Sequence, residues 1–353
     1  MREPGEDRRQ RILAAVDRRG QARVTDLAAE LDVSVVTVRR DVEQLAVAGR
    51  LARGHGVVRS MSTPRPVARR REAAVALMIP ERHAYLDEAV NGARAALEAA
   101  GLRAVLHIVP RVAGAERPMA ERIIADGVRG LLIAPRWRTL AAELADYDWL
   151  AALDVPVVLL ERRPHAGSVL HETDSACTDH WYGMYLAVDH LVRLGHRRLV
   201  LAARDDSPTA RTLRSAFEEI VVGQREIEAW ATTLSAPDAR ADPAVPDTSV
   251  PAVDLIRSIG ATAAVMHSDV DALMLVQQLA DAGIRVPEDC SVVAYDDVVA
   301  PMGSTPLTAV APPKSEVGHA AAELLLARLA GSDRPRRVAV LPELKIRQST
   351  MSV

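Results

Sequence analysis

Cysteine, lysine and aromatic residues are scarce in this 353-residue chain, and each scarcity excludes something. Cys177 and Cys290 are its two cysteines, too few for a disulfide framework and consistent with thiols kept reduced in a cytosol. Two lysines stand against 42 arginines, a bias that follows base composition of the coding DNA more readily than function. Ten aromatics leave the core to Ala, Val and Leu. No apolar run reaches the length of a membrane span, and the N-terminal MREPGEDRRQ has no apolar leader, so the expectation is a cytoplasmic protein with no membrane partner. G-x-S-x-G, P-loop, Rossmann and H-E-x-x-H motifs are all missing, so no catalytic residue, cofactor or metal is expected. Cys177, His180 and His190 lack the spacing of a metal site.

What is present is 49% hydrophobic residues, enough for two or three buried cores, and a hidden charge split. The overall net charge is −3, but residues 1–71 hold sixteen Arg against nine acidic residues, a head of +7 on a body of −10. A basic head on an acidic body fits a nucleic-acid partner for the head alone.

Within the head, DRRQRILAAVDRR (7–19) places Ile12, Leu13 and Val16 on one helical face, with Gly20 as the stop. Thr25 is expected to cap a short helix over 26–31, Asp32-Val33 to turn, and Ser34 to cap a third helix. In that helix Val38, Val42 and Leu45 face inward, while Val35, Val36, Thr37, Arg39 and Arg40 crowd the exposed N-terminal end, where a recognition helix meets base edges. LARGHGVVR (51–59) flanks His55 with glycines between two β-prone runs and predicts a small wing. Arg53 and Arg59 suit phosphate oxygens, and Arg39 or Arg40 suits a guanine edge.

The run V-S-V-V-T-V-R-R-D-V-E-Q-L (33–45), followed by G-R-L-A-R-G-H-G (49–56), resembles the winged helix-turn-helix of DeoR-type repressors. The resemblance implies that Ser34, Thr37, Arg39, Arg40 and the wing, His55 included, touch double-stranded operator DNA. Residues 1–59 form this domain, and 60–72, with Pro64, Pro66 and an Arg triplet, form a linker.

From Ala73 onward apolar runs alternate with amphipathic stretches, the pattern of doubly wound parallel α/β sheets. Strands are expected over 73–79, 104–109, 130–134 and 155–160 in one lobe. The second lobe is expected to begin with a helix over 177–194 and to hold strands over 199–203, 227–234, 263–267 and 290–295. Residues 235–249, rich in Pro and Asp, read as a surface loop. Two such lobes define one cleft at the carboxyl ends of their strands.

H-L-V-R-L-G-H-R-R-L (190–199), T-A-R-T-L-R-S-A-F (209–217), G-I-R-V-P-E-D-C-S-V-V-A-Y-D-D (283–297), T-P-L-T-A-V (305–310) and L-P-E-L-K-I-R-Q-S-T (341–350) resemble the effector domain of LacI/GalR repressors, itself similar to periplasmic sugar-binding proteins. The fold class this implies is α/β, a winged helix-turn-helix followed by a two-lobed periplasmic-binding-protein-like domain over 73–353. Lobe one would comprise 73–173 plus 298–330 and lobe two 174–297 plus 331–353, with crossings near Thr173, Asp297 and Gly331. The same resemblance implies an effector site of Arg82, Tyr85, Trp137, Glu161, Arg211, Ser268, Asp269 and Asp296. Arg211 would grip ligand oxygens, Asp296 and Glu161 would accept from hydroxyls, and Tyr85 or Trp137 would stack on a sugar face.

The chain departs from both families. No hinge helix is legible in 60–71, which points to coupling by the spacing of two heads, and Ser268-Asp269 stands where the family commonly has Asn-Asp. The expected function is a homodimeric, effector-controlled transcriptional repressor with a carbohydrate as effector. A purine or nucleoside co-repressor, or a solute-binding module without DNA regulation, stays open as an alternative.

Overall fold

A computed structural model describes residues 5–19, 21–47, 50–54, 57–60, 74–81, 84–235 and 249–353. His55, Arg82, the 61–72 linker and residues 236–248 lie outside the described residues, as do the side chains of Arg53 and Arg59. The chain divides into two units, 1–72 and 73–353.

The first unit runs α1 (Gly5–Arg19), β1 (Gln21–Arg23), α2 (Val24–Glu30), α3 (Val35–Val47), β2 (Leu51–Gly54) and β3 (Val57–Ser60). The three strands form an antiparallel sheet with β3 central, so the predicted wing is a hairpin backed by a third short strand. Ile12, Val16, Leu27, Val38, Val42, Leu45, Leu51 and Val58 make one apolar core, each fully buried Leu or Val contributing about 1.5–3 kcal/mol. Arg8 binds Asp41 through two nitrogens, at 2.6 and 3.3 Å, and ties α1 to α3. The expected Thr25 cap is corrected: α2 starts two residues earlier, at Val24, with no side-chain cap, and the Thr25 hydroxyl donates to Asp26 instead.

The second unit holds β4 (Ala74–Ile79), α4 (Ala84–Ala99), β5 (Arg103–Ile108), α5 (Glu116–Ala125), β6 (Leu131–Ile133), α6 (Leu140–Ala151), β7 (Val157–Leu160) and β8 (Asp174–Thr178). It continues with α7 (His180–Arg193), β9 (Arg198–Ala202), α8 (Pro208–Gly223), β10 (Ala229–Thr233), α9 (Ala252–Ile259), β11 (Ala263–Met266), α10 (Asp269–Asp281) and β12 (Ser291–Tyr295). After a short 3-10 turn come β13 (Thr308–Ala311), α11 (Lys314–Leu329), β14 (Arg337–Val340) and β15 (Glu343–Lys345). One six-stranded sheet has the order β14-β8-β7-β6-β4-β5, parallel throughout. The other has the order β10-β9-β11-β12-β13-β15, parallel except for the antiparallel β15 edge. Strands buried on both faces, such as Ala76–Ile79 and Ser291–Tyr295, explain the unbroken apolar runs.

The strand membership moves the lobe crossings. Asp174–Thr178 is a strand of the first sheet, not the start of a helix, and Arg337–Val340 pairs with it, while Thr308–Ala311 joins the second sheet. The chain therefore crosses near 179, 312 and 341 instead of near Thr173, Asp297 and Gly331. The physical cause is long-range pairing and anchoring: Asp174 is buried and takes a 2.5 Å bond from Arg328 Nε and another from the Arg336 amide, which fixes β8 and β14 in the first lobe. Two crossings touch each other, the Asp179 amide donating to Val340 O at 2.9 Å. On the first lobe α11 lies along α4. The approach needs Gly92 and Gly318, where a Cβ would fall 2.1 Å from Ser315 O and 1.8 Å from Ala89 O.

Candidate functional site

In the head, the Ser34 hydroxyl caps α3 by accepting from the Thr37 amide at 3.2 Å and shares a 2.8 Å hydrogen bond with the Thr37 hydroxyl. Val36 is 73% exposed, and Arg39 and Arg40 are exposed beside it. An exposed valine flanked by two guanidinium groups at a helix N-terminus offers a methyl surface and planar donors to a groove floor. Val35 differs from the expectation of a fully presented residue: it packs partly against the head core.

In the second unit a cavity of about 600 Å³ opens between the carboxyl ends of the two sheets. On the first lobe its wall is made by Pro80 and Glu81 after β4, Arg136 and Arg138 after β6, and Glu161 and Arg162 after β7. On the second lobe it is made by Arg204 and Asp206 after β9, His267 and Ser268 after β11, and Asp296 after β12. Every one of these residues follows a parallel strand, where the chain leaves the sheet and side chains become free to face a ligand.

Tyr85, Glu161, Ser268 and Asp296, four of the eight nominated positions, line this cavity. Glu161 holds a left-handed backbone (φ 51°), an uncommon conformation for a non-glycine residue. Its carboxylate accepts from the Tyr85 hydroxyl at 2.6 Å, the Thr178 hydroxyl at 2.9 Å and the Thr178 amide at 3.1 Å, and lies 3.5 Å from His180 Nε2. Burial pushes the Glu161 carboxyl up, but the hydrogen bond and charge of His180, then the Tyr85 and Thr178 bonds, outweigh it and hold the group below its ordinary value. Burial first and the Glu161 charge second push the Tyr85 phenol well up. His180 also reaches the Tyr295 hydroxyl at 3.0 Å, so one buried network crosses from the first lobe to the second.

Asp296 has φ 100° and faces the cavity. Burial, reinforced by the Asp269 charge, raises its carboxyl to about 8, so it is largely protonated at neutral pH and can donate as well as accept. His267 is held at about 3 by burial and by Arg204, a neutral imidazole whose Nδ1 accepts from the Arg204 amide at 3.1 Å. The Ser268 hydroxyl caps α10 by accepting from the Asp271 amide at 3.2 Å.

Three nominated positions do not line the cavity. Trp137 is 2% exposed, its indole packed in the first-lobe core edge-on to Tyr147 and donating to Asp146 at 2.9 Å, so it has no face to stack on a sugar. Asp269 is buried beneath the turn after β12, where its carboxylate accepts from the amides of Asp297, Val298, Val299 and Ala300. It shapes the turn that presents Asp296. Arg211 of α8 spans the two lobes instead of lining the cavity, its Nη1 donating to Trp137 O at 3.0 Å and Arg138 O at 3.1 Å and its Nη2 to Glu143 at 2.6 Å. Arg82 lies outside the described residues.

The wall residues that sequence reasoning missed are chiefly arginines: Arg111, Arg138, Arg162 and Arg204. A signal for three of them exists, since Arg162 and Arg204 are the first basic residues after the apolar runs of β7 and β9, and Arg138 is the second after that of β6. Among the described residues, no group of three His, Cys, Asp or Glu is placed to hold a metal, and no helix is long and apolar enough to cross a membrane.

Residues 8–64 match the DeoR-like helix-turn-helix domain family, and residues 188–350 match the periplasmic binding protein-like domain family. Among curated relatives, the chain is 27% identical over 348 residues to the arabinose metabolism transcriptional repressor of Geobacillus stearothermophilus, covering 93% of this chain and 90% of that one. It is 28% identical over 345 residues to the HTH-type transcriptional regulator MalR of Streptomyces coelicolor, covering 94% and 97%. Among solved structures, the transcriptional regulator CelR in complex with cellobiose superposes with a TM-score of 0.64 at 23% identity, over 90% of this chain and 91% of that one. The chain thus joins a DeoR-like helix-turn-helix domain to a periplasmic-binding-protein-like domain of two parallel-sheet lobes.

Proposed function

We propose that this chain is a DNA-binding transcriptional repressor whose grip on its operator is set by a small polar effector, of the carbohydrate class, bound between the two lobes. The observation that carries the reading is one chain holding both a recognition helix with Val36, Arg39 and Arg40 exposed and a polar 600 Å³ cavity at facing strand ends. The names of the relatives support it, and they support a regulator over an enzyme. Of the nominated effector residues, Tyr85, Glu161, Ser268 and Asp296 are retained as ligand contacts, and Arg82 remains a nominee from sequence. A homodimer belongs to the same proposal, because a single small head covers one half-site and two heads match a two-fold operator.

The test is fluorescence anisotropy of the full chain on DNA fragments from its own upstream region, with and without a panel of sugars, at two salt concentrations. Sequence-selective binding that one sugar weakens supports the reading. Binding that is equal on all sequences, or that no small molecule changes, overturns it. Sedimentation at the same protein concentration gives the oligomeric state.

A further inference from the structure

The charges lining the cavity do not balance. Of its four acidic groups among the described residues, Glu81 is taken by Arg111 in an ion pair, and Asp206 is shared between Arg204 at 2.9 Å and Arg138 at 3.7 Å. Glu161 is occupied by Tyr85, Thr178 and His180. Asp296 is held largely neutral by burial and the Asp269 charge. Among the described residues, two guanidinium groups are left with carbonyl partners alone. Arg136 donates through Nη2 to Pro80 O while its Nε is buried without a partner. Arg162 donates through Nε to Pro135 O at 2.5 Å and through Nη1 to Glu161 O at 2.8 Å.

Arg162 is 7% exposed, and its charge persists, burial lowering its value only to about 10. Glu161 and Glu143 act on it through space, but no carboxylate among the described residues hydrogen-bonds it. Carbonyl oxygens satisfy donors without neutralising a charge, and a cation removed from water and left without an anion is costly. Both side chains sit at the ends of adjacent strands, β6 and β7, whose registered pairs Leu131–Val157 and Ile133–Leu159 set their exits side by side. Neighbouring guanidinium forks of this kind match the bidentate geometry of a carboxylate or phosphate.

We propose that the effector is an anionic carbohydrate, a polyhydroxylated molecule bearing a carboxylate or a phosphate monoester, and that Arg136 and Arg162 receive its acidic group. The inference rests on the cavity being the effector site and adds the class of ligand. The hydroxyl-bearing part faces Tyr85, Glu161, Ser268 and Asp296 on the remaining walls.

The experiment is titration calorimetry on the full-length protein with matched triplets at low and moderate salt: glucose, glucuronate and glucose 6-phosphate, then galactose, galacturonate and galactose 6-phosphate, with inorganic phosphate and acetate as the bare ions. The expected result is that an acidic member binds at least tenfold more tightly than its neutral parent and loses that margin as salt rises. The carboxylate and phosphate arms identify the group. Arg136→Gln should cut the acidic ligand's affinity at least tenfold, and Arg136→Lys should restore part of it. The unliganded melting curve of each variant establishes that it is folded. Neutral parents binding as tightly as their acids, or Arg136→Gln leaving the acid preference intact, overturns the anionic inference while the sensor reading stands. No compound binding, with operator affinity unchanged across the panel, overturns both.

Discussion

Arg211 and Glu143 form a 2.6 Å ion pair that bridges the two lobes, one residue from α8 of the second and the other from α6 of the first. Glu143 is buried and also accepts from the Tyr147 hydroxyl, so the pair is anchored on the first-lobe side and half-exposed on the other. A residue that family resemblance assigns to ligand therefore links the lobes directly, and its loss acts on lobe closure before it acts on any ligand.

Arg211→Ala removes this bridge and leaves a buried carboxylate without its cation. The expected cost is about 1–3 kcal/mol of stability, read as a lowered melting temperature, together with a larger radius of gyration for the unliganded protein in small-angle scattering. An unchanged radius would show that the bridge does not hold the lobes.

On the DNA side, Arg39→Ala or Arg40→Ala should weaken specific operator binding by about 1–3 kcal/mol with a smaller change on random DNA. For the unmodified protein, log affinity should fall by about 0.9 per neutralised phosphate for each tenfold rise in salt. A salt-independent affinity would count against phosphate contact by the head.

Asp296 gives a pH prediction with a definite sign. Its folded value, about 8, lies far above the ordinary carboxylate value, so the native state holds a proton that the unfolded chain has already released. The contribution is present in full below the ordinary range and is lost as pH rises through about 8. Thermal melts of the unliganded protein from pH 5 to pH 8.5 should fall more steeply for the parent than for Asp296→Asn. Parallel slopes would refute it.

Gly318 tests the packing of α4 on α11. A methyl group there meets the Ala89 carbonyl, part of a helix backbone that cannot swing aside. Gly318→Ala should therefore destabilise by about 1–3 kcal/mol through overpacking, although alanine is the better helix former. A melting temperature equal to or above that of the parent would mean that the helices can separate at no cost.

Much of this architecture is legible in the sequence because the strands β4, β6, β7, β9, β11 and β12 are buried on both faces and spell themselves as apolar runs. The strands that escaped are mixed in character: D-S-A-C-T of β8, T-A-V-A of β13, R-V-A-V of β14 and E-L-K of β15. Their membership depends on partners 15 to 162 residues away, which no local pattern encodes. Those four strands displaced the lobe crossings. In the site, the resemblance nominated Trp137 and Arg211 but not the direction of their side chains, one turned into the core and the other across the lobes. The arginine-rich character of the cavity was overlooked because each arginine stands alone in sequence, and only the convergence of several strand ends brings them together.

The two outer strands contributed by residues 337–345 have a consequence for synthesis on the ribosome. β14 completes the edge of the first sheet beside β8, and β15 completes the edge of the second beside β13. The head, confined to residues 5–60, has all its strands early, whereas neither sheet of the effector domain is complete until residues 337–345 have emerged. Until then both lobes present an unpaired strand edge to the cell at the same moment. A stop codon between residues 312 and 337 would leave both edges bare in every molecule, so truncated products should be recovered as aggregates or cleared by proteases, and not as free, DNA-occupying heads on a folded body.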